Sequence, residues 1–147
     1  MHKPALVLAA CALGLVACRG DIVVTAELHG PGTVEVRLPV TSQRLALWAD
    51  TDGKWHGSKH LLVRYEIDVL QEGKTIGHVS CSTNDVSVSV CGTTSNIGGA
   101  HSGDCEMKMN CQLPGLAESG EVVLRVTAQP GDGVDAIDKI SLNVRKG

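Results

Sequence analysis

The chain has 147 residues, of which 43% are apolar and 20% are charged, and its formal net charge at pH 7 is −3. This length predicts one domain, and the composition is too apolar and too weakly charged for an intrinsically disordered chain. The slightly acidic balance lacks the basic footprint of nucleic-acid-binding proteins, so we expect no nucleic-acid partner.

The amino-terminal 17 residues have the composition of a secretory signal. Lys3 precedes an apolar stretch from Ala5 to Ala17. This stretch is shorter than the roughly 20 residues that cross a bilayer as a helix. We therefore predict that residues 1–17 are cleaved and that Cys11 is discarded with them.

The end of this segment, Leu15-Val16-Ala17-Cys18, resembles the lipobox of bacterial lipoproteins, in which an aliphatic residue and two small residues precede an obligatory cysteine. The resemblance implies cleavage before Cys18, with a diacylglyceryl group on its sulfur and an acyl chain, such as palmitate, on its new amino group. Several acyl chains, at about 0.8 kcal/mol per buried CH₂, hold a protein on a membrane. An ordinary cleaved signal that leaves Cys18 free is the alternative.

The same resemblance implies an address in the bacterial cell envelope. Arg19 follows the cysteine where an Asp would act as a retention signal, which favours the outer membrane of a Gram-negative cell, facing the periplasm or the surface. Residues 18–20 would be the lipidated terminus and a short tether, and residues 21–147 the folded domain. Membrane lipid, reached through Cys18, is thus the first expected partner.

Four cysteines remain in the predicted domain, at Cys81, Cys91, Cys105 and Cys111. An even number in an exported chain predicts two disulfides, and none of the gaps matches the paired C-x₂-C spacing of zinc sites. If residues 105–111 form a strand, its two cysteines lie about 20 Å apart, which is too far for a bridge. A nested pairing, Cys91 with Cys105 and Cys81 with Cys111, suits antiparallel neighbours best, but the sequence does not decide the connectivity.

Alternation of apolar and polar residues predicts short strands along the whole domain. The predicted strands are 21–28, 33–40, 45–49, 61–70, 75–80, 86–90, 105–111, 121–128 and 137–144. Gly, Pro and Asp predict turns between them at 29–32, 50–53, 71–74 and 130–133. The segment 92–104 has no core-forming apolar pattern, and no segment of the domain has a sustained helical period.

These elements predict an all-β fold, a single antiparallel β-sandwich of the immunoglobulin-like or jelly-roll kind. The last two strands, with a valine-rich segment, a glycine turn and Ile137-Asp138-Lys139-Ile140, resemble the closing strands of carbohydrate-binding jelly rolls. This second resemblance implies a fold and no function.

Two acidic groups have some features of calcium loops. Asp50 and Asp52 stand before Gly53, but Trp48 and Lys59 occupy ligand positions of such a loop, so we interpret the group as a turn. Three further carboxylates lie near a glycine turn, where either a structural calcium or plain turn chemistry fits; they are Asp132, Asp135 and Asp138.

Histidine spacings suggest metals only if the local structure allows it. His56 and His60 would share one face of a helix, yet Gly57 and Ser58 between them indicate a loop. His101 could join the soft donors Met107 and Met109 in binding Cu(I), but two Met on the face of two Cys are more simply core. We predict no metal and no cofactor.

The chain has no Gly-x-Ser-x-Gly elbow, phosphate loop or Cys-x-x-Cys redox pair, so we predict no enzyme and assign no catalytic residue. The candidate ligand-binding residues are Trp55, Asp52 and Tyr65, at or near the predicted 50–53 turn. Exposed aromatic side chains at a loop edge stack sugars or partner side chains. Trp48 is expected in the core.

The sequence thus predicts a membrane-anchored, non-catalytic binding module for an envelope protein or glycan. One alternative is a structural or assembly accessory whose sheet edge receives a strand from a partner. The other is a small periplasmic hydrolase or metal-binding protein. The ligand and the oligomeric state are not predicted.

Overall fold

The computed structural model describes residues 19–39, 44–115 and 121–147, and their secondary structure consists of strands. The predicted signal peptide and Cys18 lie outside the described residues. Nine strands follow one another along the chain: β1 (Ile22–Ala26), β2 (Gly32–Leu38), β3 (Leu45–His56), β4 (Val63–Gln71), β5 (Lys74–Ser82), β6 (Val86–Ile97), β7 (Ala100–Met109), β8 (Val122–Pro130) and β9 (Val134–Lys146).

The strands form two antiparallel sheets. Sheet A has the order β1-β9-β3-β7-β6, and sheet B has the order β2-β8-β4-β5. The pairs β1/β9, β2/β8, β3/β7 and β4/β5 are nested, as in a jelly roll, with β6 added at one edge. An immunoglobulin-like sandwich would pair its first two strands, whereas β1 and β2 lie in different sheets. The predicted β-sandwich is confirmed, and its strand order is that of a jelly roll.

Alternation along each strand builds the core between the sheets. In β4 the inward side chains Val63, Tyr65, Ile67 and Val69 are at most 1% exposed, as the predicted strand 61–70 requires. Aliphatic side chains of sheet A face them, including Leu47, Leu142 and Val144. Each such side chain stabilises the fold by about 1.5–3 kcal/mol when it leaves water.

The predicted turn at 71–74 is confirmed, whereas the one at 50–53 is wrong. Gln71 pairs with Lys74, and the two residues between them have positive φ, 53° at Glu72 and 75° at Gly73, as a type I′ hairpin requires. Residues 50–53 instead lie inside β3. They pair with β7 on one side and β9 on the other, and this pairing overrides the local turn preference of Asp and Gly.

The segment 92–104 forms most of the β6–β7 hairpin. Its turn is Gly98-Gly99, with φ of 61° and 86°, a conformation that glycine adopts without strain. Residues 94–100 are exposed. Residues 94–100 therefore add nothing to the core, as the composition of the segment predicts, yet they extend sheet A.

The two disulfides have the nested connectivity that the sequence favours. Cys91 and Cys105 stand directly opposite in β6 and β7, with Cα atoms 4.0 Å apart. Cys81 of β5 is bonded to Cys111, just after β7, with a Cα separation of 5.4 Å. The second bridge joins a strand of sheet B to the end of a strand of sheet A.

Candidate functional site

Trp55 is a core residue and not an exposed binding residue. It lies on the inward face of β3, 4% exposed, and its indole N–H donates to the carbonyl of Ser58 at 3.1 Å. Its ring stacks on His101, with centroids 5.4 Å apart and planes at 9°. The expectation of an exposed Trp55 is wrong because β3 continues through the predicted turn and keeps this side chain in the inward register.

Tyr65 is buried as well. Its side chain is fully enclosed between the sheets, and its hydroxyl donates to the carbonyl of Ser141 in β9 at 3.0 Å. Burial, with a smaller contribution from Asp50, raises the pKa of Tyr65 far above its ordinary value. The hydroxyl is therefore neutral and serves to connect the two sheets, so it is not available to a ligand.

Asp52 lies on the outer face of sheet A, away from both aromatic rings. It pairs with Asp104 of β7 on one side and with Lys139 of β9 on the other. Lys139 makes a 3.0 Å ion pair with Asp50, and this hydrogen bond is the main cause of its raised pKa, with Asp52 and Asp104 adding to it. The three predicted ligand-binding residues are thus not brought together.

The histidine and carboxylate groups form separate contacts. His56 is paired with Asp135 at 3.0 Å on the surface, and the pKa of His60 is lowered by burial and by Lys59. Met107 and Met109 are buried in the core. Within the three described ranges, no three His, Cys, Asp or Glu residues are grouped so that they could hold a metal ion.

A polar cluster on the outer face of sheet A was not predicted. We define the Glu106 cluster as Arg19, Trp48, Glu106, Asn143 and Arg145. The Glu106 carboxylate, whose side chain is 9% exposed, accepts from Arg145 at 3.0 Å, from Arg19 at 2.7 Å and from Asn143 at 2.5 Å. The charge of this nearly buried carboxylate is therefore balanced by two guanidinium groups.

Trp48 is buried as expected, but on the outer face of the sheet. Its side chain is 3% exposed, and the Arg145 guanidinium carbon lies 5.8 Å from its ring centroid, within range of a cation–π interaction. Its indole N–H has no hydrogen-bond partner in the described structure. Strand alternation predicts that Trp48 lies on the face opposite Leu47. That this outer face is covered depends on residues far away in the sequence, such as Arg145.

The chain segment just before β1 is bound to the end of β9. Arg145 donates to the carbonyl of Gly20 at 2.7 Å, and the N–H of Lys146 donates to the carbonyl of Asp21 at 2.9 Å. Gly20 has a φ of 74°, and a Cβ there would lie 2.0 Å from the Lys146 carbonyl oxygen. Only glycine fits this approach, so residues 19–21 follow the sheet as a fixed segment.

Strand β6 is an unprotected edge of sheet A. Its 12 residues, VSVSVCGTTSNI, include no charged residue and no proline, and Val88 and Ile97 are 43% and 79% exposed. The other edge strands are either short, as is β1 with five residues, or carry charge, as do β2 and β5. Proteins usually protect a long edge strand with such features, because its unpaired backbone groups can pair with another chain.

The strand pairing of β6 with β7 determines which backbone N–H and C=O groups of β6 face the open edge. The 4.0 Å separation of the Cys91 and Cys105 Cα atoms is that of a close, non-hydrogen-bonded pair in an antiparallel ladder. In such a pair, the N–H and C=O groups point away from the partner strand. Those of Cys91, and by alternation those of Ser89 opposite Met107, therefore point to the open side of β6.

Comparison with known protein families and with curated proteins finds no match. Across the part of the chain that the structure describes, no helix is long and apolar enough to cross a membrane.

Proposed function

We propose that the chain is a bacterial lipoprotein anchored through acylated Cys18, and that its β-sandwich is a non-catalytic module that binds a partner protein in the cell envelope. The observation that carries the proposed binding activity is the open, uncharged edge of β6. A partner contributes an extended segment that pairs with this edge, and sheet A grows by one strand.

The chemistry of β6 describes the partner segment. Main-chain hydrogen bonds supply affinity, while alternate side chains supply specificity. Because Val88 and Val90 alternate with serine and no charge is present, an uncharged segment rich in β-branched residues fits best. This role combines the binding module with the assembly accessory that the sequence also suggests.

A glycan is the less supported partner. Sugar binding by a β-sandwich commonly relies on exposed aromatic rings, and the chain has only two Trp and one Tyr. All three are at most 4% exposed. The outer faces of the sheets therefore lack a stacking surface.

The anchor is supported by the lipobox and by the position of the next residue. Arg19, which follows Cys18, is held against the domain by its ion pair with Glu106. An acyl group on Cys18 would be attached directly to a folded body, which suits a protein that presents its edge strand at a membrane.

The proposed strand pairing is tested by replacing Ser89 with proline. Ser89→Pro removes an N–H that points to the open side and leaves the β6–β7 ladder intact, and proline is tolerated at an edge strand. We expect the amount of partner captured by crosslinking in native membranes to fall at least about tenfold. This loss corresponds to about 1.4 kcal/mol of binding free energy.

The matched control is Ser89→Ala, which keeps the N–H and should capture the same partner at the wild-type level. Thermal unfolding of both variants checks that the sandwich is intact. Equal capture by Ser89→Pro and Ser89→Ala would exclude strand pairing at β6. Intact-mass analysis of the native protein tests the anchor separately, because an unmodified Cys18 would disprove it.

A further inference from the structure

We propose that the segment that pairs with β6 is β6 of a second copy of this chain, so that two copies join their A sheets edge to edge around a two-fold axis at Val90. This inference rests on the proposed strand pairing at β6 and names the partner of that pairing. In such a dimer both copies contribute the same surface, and each supplies the edge and the segment that covers the other edge.

Strand β6 itself has the composition that its own edge favours in a partner. It is uncharged, and valine alternates with serine over residues 86–90. Like charges directly opposite one another destabilise a strand pair, so a strand without charge pairs with its own copy at no such cost. Among the described strands β6 pairs with β7 alone, and Val88, Ser89 and Cys91 are exposed. A second β6 is therefore a suitable and unobstructed segment for this edge.

The direction of the backbone groups selects one register for the two strands. In an antiparallel pair, residues that form hydrogen bonds stand opposite residues that do the same. The groups of Ser89 and Cys91 point to the open side, and a two-fold axis at Val90 pairs Ser89 of each copy with Cys91 of the other. An axis at residue 89 or 91 would bring one of them opposite residue 87 or 93, where the β6–β7 ladder is irregular. The axis at Val90 uses regular residues alone.

This register also brings opposite charges together on the outer face of sheet A. It places Gly92 of one copy opposite Val88 of the other. A Cβ at Gly92 would lie 2.7 Å from an oxygen of the Asp104 carboxylate, so this carboxylate lies over the strand at the edge. Val88 stands opposite Lys108 within its own copy. Asp104 of one copy and Lys108 of the other therefore share one row of the joined sheet.

Both charged groups are available for a contact between copies. Among the ion pairs of the described ranges, none includes Asp104 or Lys108. Two strand spacings of about 4.8 Å separate Gly92 of one copy from Lys108 of the other, and the flexible four-carbon stem of lysine reaches across them. The two-fold axis makes this ion pair twice. An uncharged segment of a different protein would make neither.

The two-fold pairing also leaves no long edge open. Joining two five-stranded sheets through β6 gives one continuous sheet that ends in β1 on both sides, and β1 has only five residues. A foreign strand added to β6 would expose a new edge on its own far side, which invites further pairing. A second copy of this chain closes the edge instead, because a two-fold contact does not propagate.

The charge contact is tested with two full-length variants, Lys108→Glu and Asp104→Lys, each produced with two different affinity tags in native membranes. Within a pair of identical variants, like charges face each other twice, whereas the mixed pair restores two attractive contacts. We expect one tagged variant to capture the other at least about threefold more than it captures its own kind. Thermal unfolding of each variant checks the fold. Mixed capture that does not exceed capture of the same variant would overturn the proposed register.

The two-fold axis is tested by Val90→Cys in the full chain, with Val88→Cys as the matched control on the same face. The two residues at position 90 form a close pair like that of Cys91 and Cys105, whose Cα atoms are 4.0 Å apart, so a disulfide between copies can form. Val88→Cys faces Gly92 and finds no thiol. On non-reducing gels we expect at least about tenfold more covalent dimer from Val90→Cys, with the bond mapped to residue 90 of both copies. Equal dimer from both variants, or none from Val90→Cys, would overturn the pairing.

Ser89→Pro and Ser89→Ala, each combined with Val90→Cys, separate this inference from the proposed function. We expect the proline to abolish the covalent dimer and the alanine to keep it, because only proline removes the N–H that bonds the second copy. A dimer that survives the proline would exclude main-chain pairing between copies. If Val90→Cys stays monomeric while Ser89→Pro still loses a different captured protein, the second copy is disproved and the proposed strand pairing stands. If the proline changes neither result, both are disproved.

Discussion

At the scale of residues, the exposed face of sheet B contains a histidine held between two carboxylates. His78 of β5 contacts Asp68 at 2.7 Å and Glu66 at 2.8 Å, both on β4. The hydrogen bond with Asp68, followed by that with Glu66, raises the pKa of His78 above its ordinary 6.5. The pKa of Glu66 is lowered below 4.5, chiefly by the hydroxyl of Ser80 and further by His78.

These shifts predict a pH window for the contact. A raised histidine pKa contributes stability that is fully present below pH 6.5 and is lost as the pH rises through the folded value. The lowered Glu66 pKa contributes stability that is present above 4.5 and is lost as the pH falls through the folded value. The contact is therefore most favourable in mildly acidic solution.

We expect Asp68→Asn to lower the pKa of His78 toward 6.5, because the principal partner loses its charge. An NMR titration of the His78 ring measures this directly. Glu35→Gln, on the same face but without a contact to His78, should leave the titration unchanged. An unchanged midpoint in Asp68→Asn would show that Asp68 is not the main cause of the shift.

At the scale of elements, the sequence predicts strands whose two faces differ in polarity and fails where residues with a local turn preference lie inside a paired strand. In β4, the buried positions Val63 and Ile67 alternate with polar ones, and the prediction is confirmed. In β3, Asp50 and Asp52 suggest a turn, but β7 and β9 supply hydrogen bonds on both sides. A local sequence pattern cannot predict strand partners that are more than 40 residues away in the chain.

The two disulfides are expected to stabilise the fold by different amounts. Closing the 30-residue separation of Cys81 and Cys111 stabilises by about 3.6 kcal/mol, and closing the 14-residue separation of Cys91 and Cys105 by about 3 kcal/mol, in the chain-entropy treatment. The longer bridge also connects the two sheets, whereas the shorter one lies within a hairpin.

We therefore expect Cys81→Ser with Cys111→Ser to lower the free energy of unfolding more than Cys91→Ser with Cys105→Ser does. Chemical denaturation of the two double variants measures both losses. The second variant is the matched control, since it also removes one bridge and two sulfurs. A larger loss from the hairpin bridge would contradict the view that the bridge between sheets matters more.

At the scale of the whole molecule, the sequence predicts the sandwich but not the surfaces that are candidates for function. Trp48 and Glu106 lie far apart in the chain, and both contact Arg145 only because β3 pairs with β7 and β9. The sequence alone suggests that Trp55 and Tyr65 could stack on a ligand. The structure excludes this role because both side chains point into the core. The sequence of β6 is a long, uncharged run in which apolar and polar residues alternate at its start. Its position at the edge of sheet A follows only from the topology.

Tyr65 provides a whole-molecule prediction because its hydroxyl joins sheet B to the Ser141 carbonyl of sheet A. Tyr65→Phe keeps the ring in the core and removes only this hydrogen bond, so we expect the free energy of unfolding to fall by about 1 kcal/mol. Thr33→Val is the matched control, since it removes an exposed hydroxyl contact with Thr127 within sheet B and should change stability by less than about 0.5 kcal/mol. Urea denaturation of the two variants measures the difference. An equal change in both would mean that the contact between the sheets does not depend on the hydroxyl and that side-chain packing alone holds them together.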